Sequence, residues 1–337
     1  MPNETLARAR GAKNDEFYTQ YHDIEKEVNA YLEFNQNVFR DKIILLPCDD
    51  PEWSNFTKFF ALNFKHFGLK KLISTCYAIE SQNDNHGKIL VLEKNDLPDR
   101  IDFNNLKREY LKGDGDFRSE EVSALRDEAD IIITNPPFSL FRDFLAWIMV
   151  AEKHFLTLGN MNAVSYKEVF PLIKENMIWL GVVSGAKDYL TPSGEIQKMG
   201  NTCWFTNIEH GRRHQPLPLM PMADNLKFSK HKEIQGRCAY IRYENYDAIE
   251  VPYTDAIPSD YDGIMGVPKS FLDKYCPEQF EIIGCAEGDS GKELGLKPFP
   301  RELKKLNPSL RDGQLYYIDE DGIPQKPFAR ILIRKKL

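Results

Sequence analysis

Through the first half of the chain, short unbroken apolar runs alternate with stretches in which apolar residues recur every three or four positions. The runs at 43–46 (IILL) and 131–134 (IIIT) have the pattern of strands buried on both faces, and further strands are predicted at 71–77, 88–93, 154–158 and 177–183. Tyr21, Ile24, Val28, Tyr31 and Leu32 fall at helical spacing, with an extended stretch at 16–19 before them. Helices are also predicted at 52–67, 119–127 and 139–153, and within VSYKEVFPLIKEN at 164–176. Asp50 and Pro51 form an N-cap and first-turn pair for the helix at 52–67, and Gly68 stops it. The strand-helix-strand order at 43–77 predicts a parallel pair, and the whole alternation predicts a doubly wound α/β sheet.

Beyond about residue 184 the alternation fails. Prolines cluster in HQPLPLMPM and aromatics are scattered through YIRYENYDAIEVPYTD, which predicts a second, irregular α+β domain. The expected division is therefore 1–183 and 184–337, and a length of 337 residues suits two domains. The formal charge of −7 argues against a protein that coats nucleic acid by charge alone. Its distribution is uneven: basic residues bunch between 210 and 242, among them Arg212, Arg213 and Lys230. Such a cluster reads either as a solvated face or, with aromatics interleaved over so long a span, as a nucleic-acid surface; the second reading is preferred.

A hydrophobic content of 42% is that of a soluble globular protein. No apolar run approaches the ~20 residues that cross a bilayer, and the N-terminus lacks the apolar core of a signal peptide, which predicts a cytoplasmic protein without membrane association. The 6 cysteines form no C-x-x-C pair and read as reduced thiols with no zinc site.

The sharpest local feature is ADIIITNPPFSLF at 129–141. A buried strand runs into Asn135, Pro136, Pro137 and Phe138. Neither proline can donate a ladder hydrogen bond, and each restricts the residue before it, so the chain is stiff just past the strand end. That edge is where open α/β sheets place ligands. An exocyclic amine conjugated to a purine ring is a poor nucleophile. The side-chain oxygen of Asn135 and the carbonyl of Pro136 can each accept one of its hydrogens, favouring a pyramidal nitrogen, while Phe138 stacks on the base. Taken without context, the same four residues also read as a strand-ending loop whose Phe packs inward.

Context comes from the order KNDEFYT, LLPCDDPEWSNF, GDGDF, TNPPF, which resembles amino-group methyltransferases that use S-adenosylmethionine, the adenine-N6 class above all. CDDPEWSNF, WFTNIEHGRR, NYDAIEV, GIMGVPKSFLDKY, PEQFEIIG and ARILIRKK extend the likeness over nearly the whole chain, which is similar to the EcoRI-type adenine-specific DNA methyltransferase family. The resemblance implies a Rossmann-like S-adenosylmethionine-binding catalytic domain followed by a target-recognition domain. It implies N6 methylation of an adenine flipped out of a specific site in double-stranded DNA, with Asn135, Pro136 and Phe138 holding the base. It further implies Tyr18 and Thr19, after Phe17, as the motif closing over the methionine moiety, Asp49 and Asp50 at the cofactor's ammonium, and Asp116 with Phe117 at its adenine. Arg212, Arg213 and Lys230 fall to the DNA contact, and a cognate restriction endonuclease would share the system without a stable complex.

Bland readings stand beside these: Asp50 as a helix cap, Asp116 as a turn residue, Tyr18 as core packing, Arg212 and Arg213 as a surface salt link. The cofactor stretch PCDDPEWSNF departs from the glycine-rich loop of related enzymes. Glu93, at a strand end, is a candidate for the ribose hydroxyls. The other functions considered are an RNA N6-adenine or guanine-N2 methyltransferase, a protein-glutamine methyltransferase, and a catalytically dead DNA-binding module.

Overall fold

The structure, a computed structural model, describes residues 18–78, 86–96, 101–190 and 196–336. Phe17 and part of the turn preceding residue 88 lie outside these residues. Among them, ten strands build one sheet: β1 (Tyr18–Thr19), β2 (Ile43–Leu46), β3 (Lys71–Cys76), β4 (Lys88–Glu93), β5 (Glu109–Tyr110), β6 (Ile131–Thr134), β7 (His154–Asn160), β8 (Trp179–Leu180), β9 (Gly185–Leu190) and β10 (Ile196–Thr206). The order is β1-β9-β10-β7-β6-β2-β3-β4-β5, with β8 also pairing β10.

The centre, β7-β6-β2-β3, is parallel. β2 and β6 bury every residue, as their apolar runs require. The flanks are antiparallel: β4 runs against β3, and β10 against β7 and β9. The sheet is thus mixed α/β, parallel at the β2–β3 pair as the strand-helix-strand order predicts and antiparallel at its flanks. The link from β3 to β4 is too short for the helical crossover that a parallel pair needs. In chain order the parallel strands run β2, then β3 on one side, then β6 on the other. The chain therefore reverses direction across the sheet between β2 and β6.

The helix Tyr21–Phe34 buries Ile24, Val28 and Tyr31, as the apolar spacing predicts, and also Glu27. Its carboxylate accepts from the N–H groups of Val182 (2.9 Å to Oε1) and Val183 (2.7 Å to Oε2) and from the Tyr31 hydroxyl (3.0 Å). A buried carboxylate needs such donors, and these fasten the segment around 182 to the first helix. The helix predicted at 52–67 begins later, at Asn55. Ser54 is its N-cap, accepting from the N–H of Phe56 and Thr57, while Asp50 instead accepts from the N–H of Glu52 in the preceding turn. It breaks at Asn63 into Asn55–Leu62 and Phe64–Phe67, and Gly68 ends it at φ 66°.

The chain divides into two compact units, 1–161 with 178–211, and 162–177 with 212–337. The boundary expected at 183/184 is not where the contacts change. β9 and β10 extend the first sheet past it, and the segment at 162–177, with its short helix Phe170–Lys174, belongs to the second unit rather than to a crossover of the first.

The second unit holds a four-stranded sheet ordered β11-β12-β16-β13: β11 (Ala248–Glu250), β12 (Ile264–Pro268), β13 (Phe280–Ala286) and β16 (Arg330–Lys335). β14 (Tyr317–Ile318) and β15 (Pro324–Gln325) form a separate ribbon. Tyr243, Ala248, Ala286, Leu296, Leu315 and Leu332 make one of its apolar clusters. Beside that cluster lies a buried ion pair: the Arg330 guanidinium grips the Glu250 carboxylate (Nη2 to Oε1, 2.5 Å), which also accepts from the Tyr243 hydroxyl. β11 and β16 do not pair, so this charge pair crosses β12 between them.

Candidate active site

β2, β3 and β6 end at the same edge of the sheet, and their loops meet where the strand order reverses, the usual ligand-binding position in such sheets. The loop after β2 carries Asp49 and Asp50. Asp49 is 5% exposed. Its Oδ1 accepts from the Ser54 hydroxyl (2.7 Å) and its Oδ2 from the Thr134 hydroxyl (2.6 Å). Its main chain is held as well, the N–H donating to the Thr75 carbonyl (3.0 Å) and the carbonyl accepting from Ser74 Oγ (2.7 Å). Burial pushes the Asp49 carboxyl up to about 7, against the pull of the two hydroxyls. Asp49 is therefore an interior bracket between loops. Asp50, half-buried, is the aspartate of the pair with solvent access.

The loop carrying GDGDF reaches the end of β3. The Ala78 N–H donates to the Asp114 carbonyl (2.7 Å), and Gly87 and Gly115 close on the carbonyl of Cys76. A Cβ on Gly115 would lie 2.2 Å from that oxygen, and its φ of +80° is left-handed, so only glycine fits. These two glycines therefore let the loop pack closely on the end of β3. Asp116 forms a bidentate pair with Arg118 (Nε to Oδ1 2.9 Å, Nη2 to Oδ2 2.6 Å) and is part-exposed. Phe117 is buried, edge-on to Phe144 and Trp147, so its ring anchors the loop.

After β6, Asn135 is half-buried and Pro136 buried, and Phe138 opens a 3₁₀ turn whose Leu140 N–H donates to the Pro137 carbonyl (2.9 Å). One side of Phe138 packs on the first unit's core, so its ring is neither wholly exposed nor sunk inside. Thr134, fully buried, is fixed twice, by its bond to Asp49 and by Thr157 Oγ1 donating to its carbonyl (3.1 Å). Thr19 joins the same edge: Asn55 Nδ2 donates to the Thr19 carbonyl (2.8 Å), and Tyr18 and Thr19 pair with β9. Thr19 Oγ1 is buried with no hydrogen-bond partner among the described residues.

Glu93 is displaced from this edge. Because β4 runs antiparallel, Glu93 sits opposite Lys71, at the amino end of β3, and pairs with its ammonium (3.2 Å).

Within the second unit, Arg213 is buried and donates to Asn176 Oδ1, which makes it a structural residue where a surface contact was expected. Arg212 is half-buried. Lys230 is exposed, 2.8 Å from Asp255, which also pairs with His231 (2.9 Å); His231 stacks on Tyr253 at 3.6 Å. His210, counted with the basic cluster in the sequence, belongs to the first unit, buried against Tyr31 with Nε2 donating to the Leu180 carbonyl. A cavity of ≈ 740 Å³ opens above the Glu250–Arg330 pair, edged by Arg237, Tyr253, Lys269 and Phe328.

Several positioning residues escaped the sequence reading: Ser54, Asn55, Glu27 and the Thr134–Asp49 link. Only Thr134 gave a signal, as the polar residue closing an otherwise isoleucine strand.

Comparison with known proteins gives the family of the chain. The family model for the adenine-specific methyltransferase EcoRI matches residues 5–336. The Type II methyltransferase M.EcoRI of Escherichia coli is 40% identical over 90% of this chain and 96% of its own length. M.MgeORF184P of Mycoplasma genitalium is 36% identical, covering 82% of this chain and 85% of that protein; M.MpnI of Mycoplasma pneumoniae is 34% identical, covering 82% and 84%. No solved structure matches. With a family model spanning almost every residue, and a strand-end NPPF loop bracketed to the loop after β2, the chain belongs to the EcoRI family of adenine-specific methyltransferases.

Proposed function

We propose that this protein transfers a methyl group from S-adenosylmethionine to the N6 amine of an adenine rotated out of a specific site in double-stranded DNA. The observation that carries the reading is the position of Asn135, Pro136 and Phe138 at the carboxyl end of β6, in a loop tied to the loop after β2. The residues at this edge fit the cofactor. Thr19 Oγ1 is a buried polar atom that a ligand would satisfy, and Asp50 is an accessible carboxylate. Asp50 and Thr19, with Tyr18, would hold the methionine part, and Asp116 the adenine, with Phe117 steadying its loop. Asp49 contributes through position.

When bound, the cofactor supplies a sulfonium-activated methyl group. Asn135 Oδ1 and the Pro136 carbonyl accept from the target amine and turn its lone pair outward, while Phe138 holds the base by its ring face. None of the three changes charge, so the acceleration comes from alignment. A paired adenine cannot reach such a loop, so base rotation at a cost of a few kcal/mol is part of the reaction. Lys230 and Arg212 are assigned to DNA phosphates. The Rossmann-like architecture, with the second unit as target-recognition domain, and a restriction endonuclease acting in the same system without a stable complex, complete the proposal.

The test is incubation with labelled S-adenosylmethionine and genomic DNA, followed by digestion to nucleosides. Label in N6-methyladenine supports the reading; label confined to RNA or protein overturns it, and a dead module gives no calorimetric heat with the cofactor. Asn135→Ala should lose most turnover, a hundredfold or more on the order of other preorganised acceptors, with cofactor affinity near normal. An equal collapse in cofactor binding would make Asn135 structural.

A further inference from the structure

Thr134 and Asp49 join two loops that have different tasks in the proposed methyl transfer, and the role inferred for their hydrogen bond rests on that reading. The other β6 side chains are isoleucines, and a fully buried hydroxyl among them must find an acceptor. It finds Asp49 Oδ2 at 2.6 Å. Valine would fill the same space without a donor. The second Asp49 oxygen takes the hydroxyl of Ser54, the residue that caps Asn55–Leu62, and Asn55 in turn holds the Thr19 carbonyl. Through this chain of contacts the loop after β2 and the Thr19 strand are tied together. From Thr134 the chain passes directly into Asn135. We infer that the Thr134–Asp49 hydrogen bond is a positioning device, fixing the separation between the loop that holds the methyl donor and the loop that holds the acceptor base.

Each loop keeps other anchors when this bond is removed: Ser54 still holds Asp49, and Thr157 still holds the Thr134 carbonyl (3.1 Å). Both ligands should then still bind, while their mutual register drifts. Misplacement by about 1 Å can cost roughly a hundredfold in rate. The bond therefore governs turnover more than affinity, which separates a positioning role from a generally structural one.

The experiment compares Thr134→Val and Thr134→Ser by single-turnover methylation, calorimetric titration with S-adenosylmethionine, DNA affinity, and amide hydrogen exchange of the cofactor-free protein. Thr134→Val should lose about ten- to a hundredfold in rate with each affinity within about threefold of wild type. Exchange at 138–141 should accelerate. Thr134→Ser, which keeps the donor, should restore rate and protection. A Thr134→Val protein with wild-type rate, or one whose cofactor affinity falls in step with its rate, overturns the inference. Should the valine variant not fold, Thr134→Ala, which also lacks the hydroxyl and leaves the Ser54–Asp49 bond in place, goes through the same assays. Hydrogen exchange needs no ligand, so unchanged protection in Thr134→Val defeats the bracket even if wild-type protein methylates no DNA.

Discussion

Replacing Asp49 by asparagine should change how the stability of the first unit depends on pH. The carboxyl is 5% exposed, and burial, with a smaller push from Asp50, raises it from 3.8 to about 7 although Ser54 and Thr134 donate to it. In the unfolded chain it titrates near the ordinary aspartate value. The folded protein therefore binds the extra proton between about pH 4 and pH 7, and the stabilisation linked to it, complete below the unfolded value, is lost as pH rises through about 7. At 1.36 kcal/mol per pH unit this amounts to about 4 kcal/mol, an upper bound for a buried group. Asparagine has nothing to titrate, so the advantage of wild type over Asp49→Asn should shrink steadily from pH 4 to about 7 and level off above 8. All 4 tryptophans lie in the first unit, so urea unfolding followed by their fluorescence reports that unit directly. A difference that stays constant with pH, or one that grows in favour of wild type, would mean that the hydroxyl donors outweigh burial.

Gly115→Ala combines a left-handed φ with a Cβ 2.2 Å from the Cys76 carbonyl, so it should displace the GDGDF loop and weaken cofactor binding about tenfold or more, read by calorimetry. Arg213→Ala should lower thermal stability by leaving Asn176 and its surroundings unpaired, without altering the salt dependence of DNA binding; Lys230→Ala should leave the fold intact and flatten the slope of log affinity against log salt by about 0.9.

Where the sequence was legible, burial on both faces had left an unbroken apolar run. IILL and IIIT became β2 and β6 at the expected residues, and KILVLE became β4. Its direction was another matter, because periodicity does not encode which way a strand runs; the short β3–β4 link did, and it removed Glu93 from the site. The long hairpin of β9 and β10 was missed because the irregular composition past 184 hid two strands that complete the first sheet. Asp50 looked like a helix cap from its place before Pro51, yet Ser54 has both the hydroxyl and the spacing to reach two free N–H groups. At this edge, motif order suggested which segments come together, but not how deeply their side chains are buried. Charge suggested that Arg213 faces outward and that Asp49 faces a ligand, whereas each is packed inside with its own polar partner.

The burial of Asp49 gains its meaning from the chemistry of the NPPF loop. In the proposed transfer the amide, carbonyl and ring of this loop are neither acids nor bases, and the proton that the amine sheds on methylation passes to water, so the rate depends on where those groups are held. Proline stiffness fixes the loop internally but does not fix it relative to the donor. That second constraint needs a contact between the end of β6 and the loop after β2, and here it is a polar one made in the interior. A carboxylate there is thermodynamically expensive, as its upward displacement shows. An apolar pair could pack equally well, yet apolar contacts are non-directional, whereas two short hydrogen bonds to one carboxylate set both distance and angle. The destabilised residue and the aligned site are thus one structural feature, and a variant that relieves the first should lose the second.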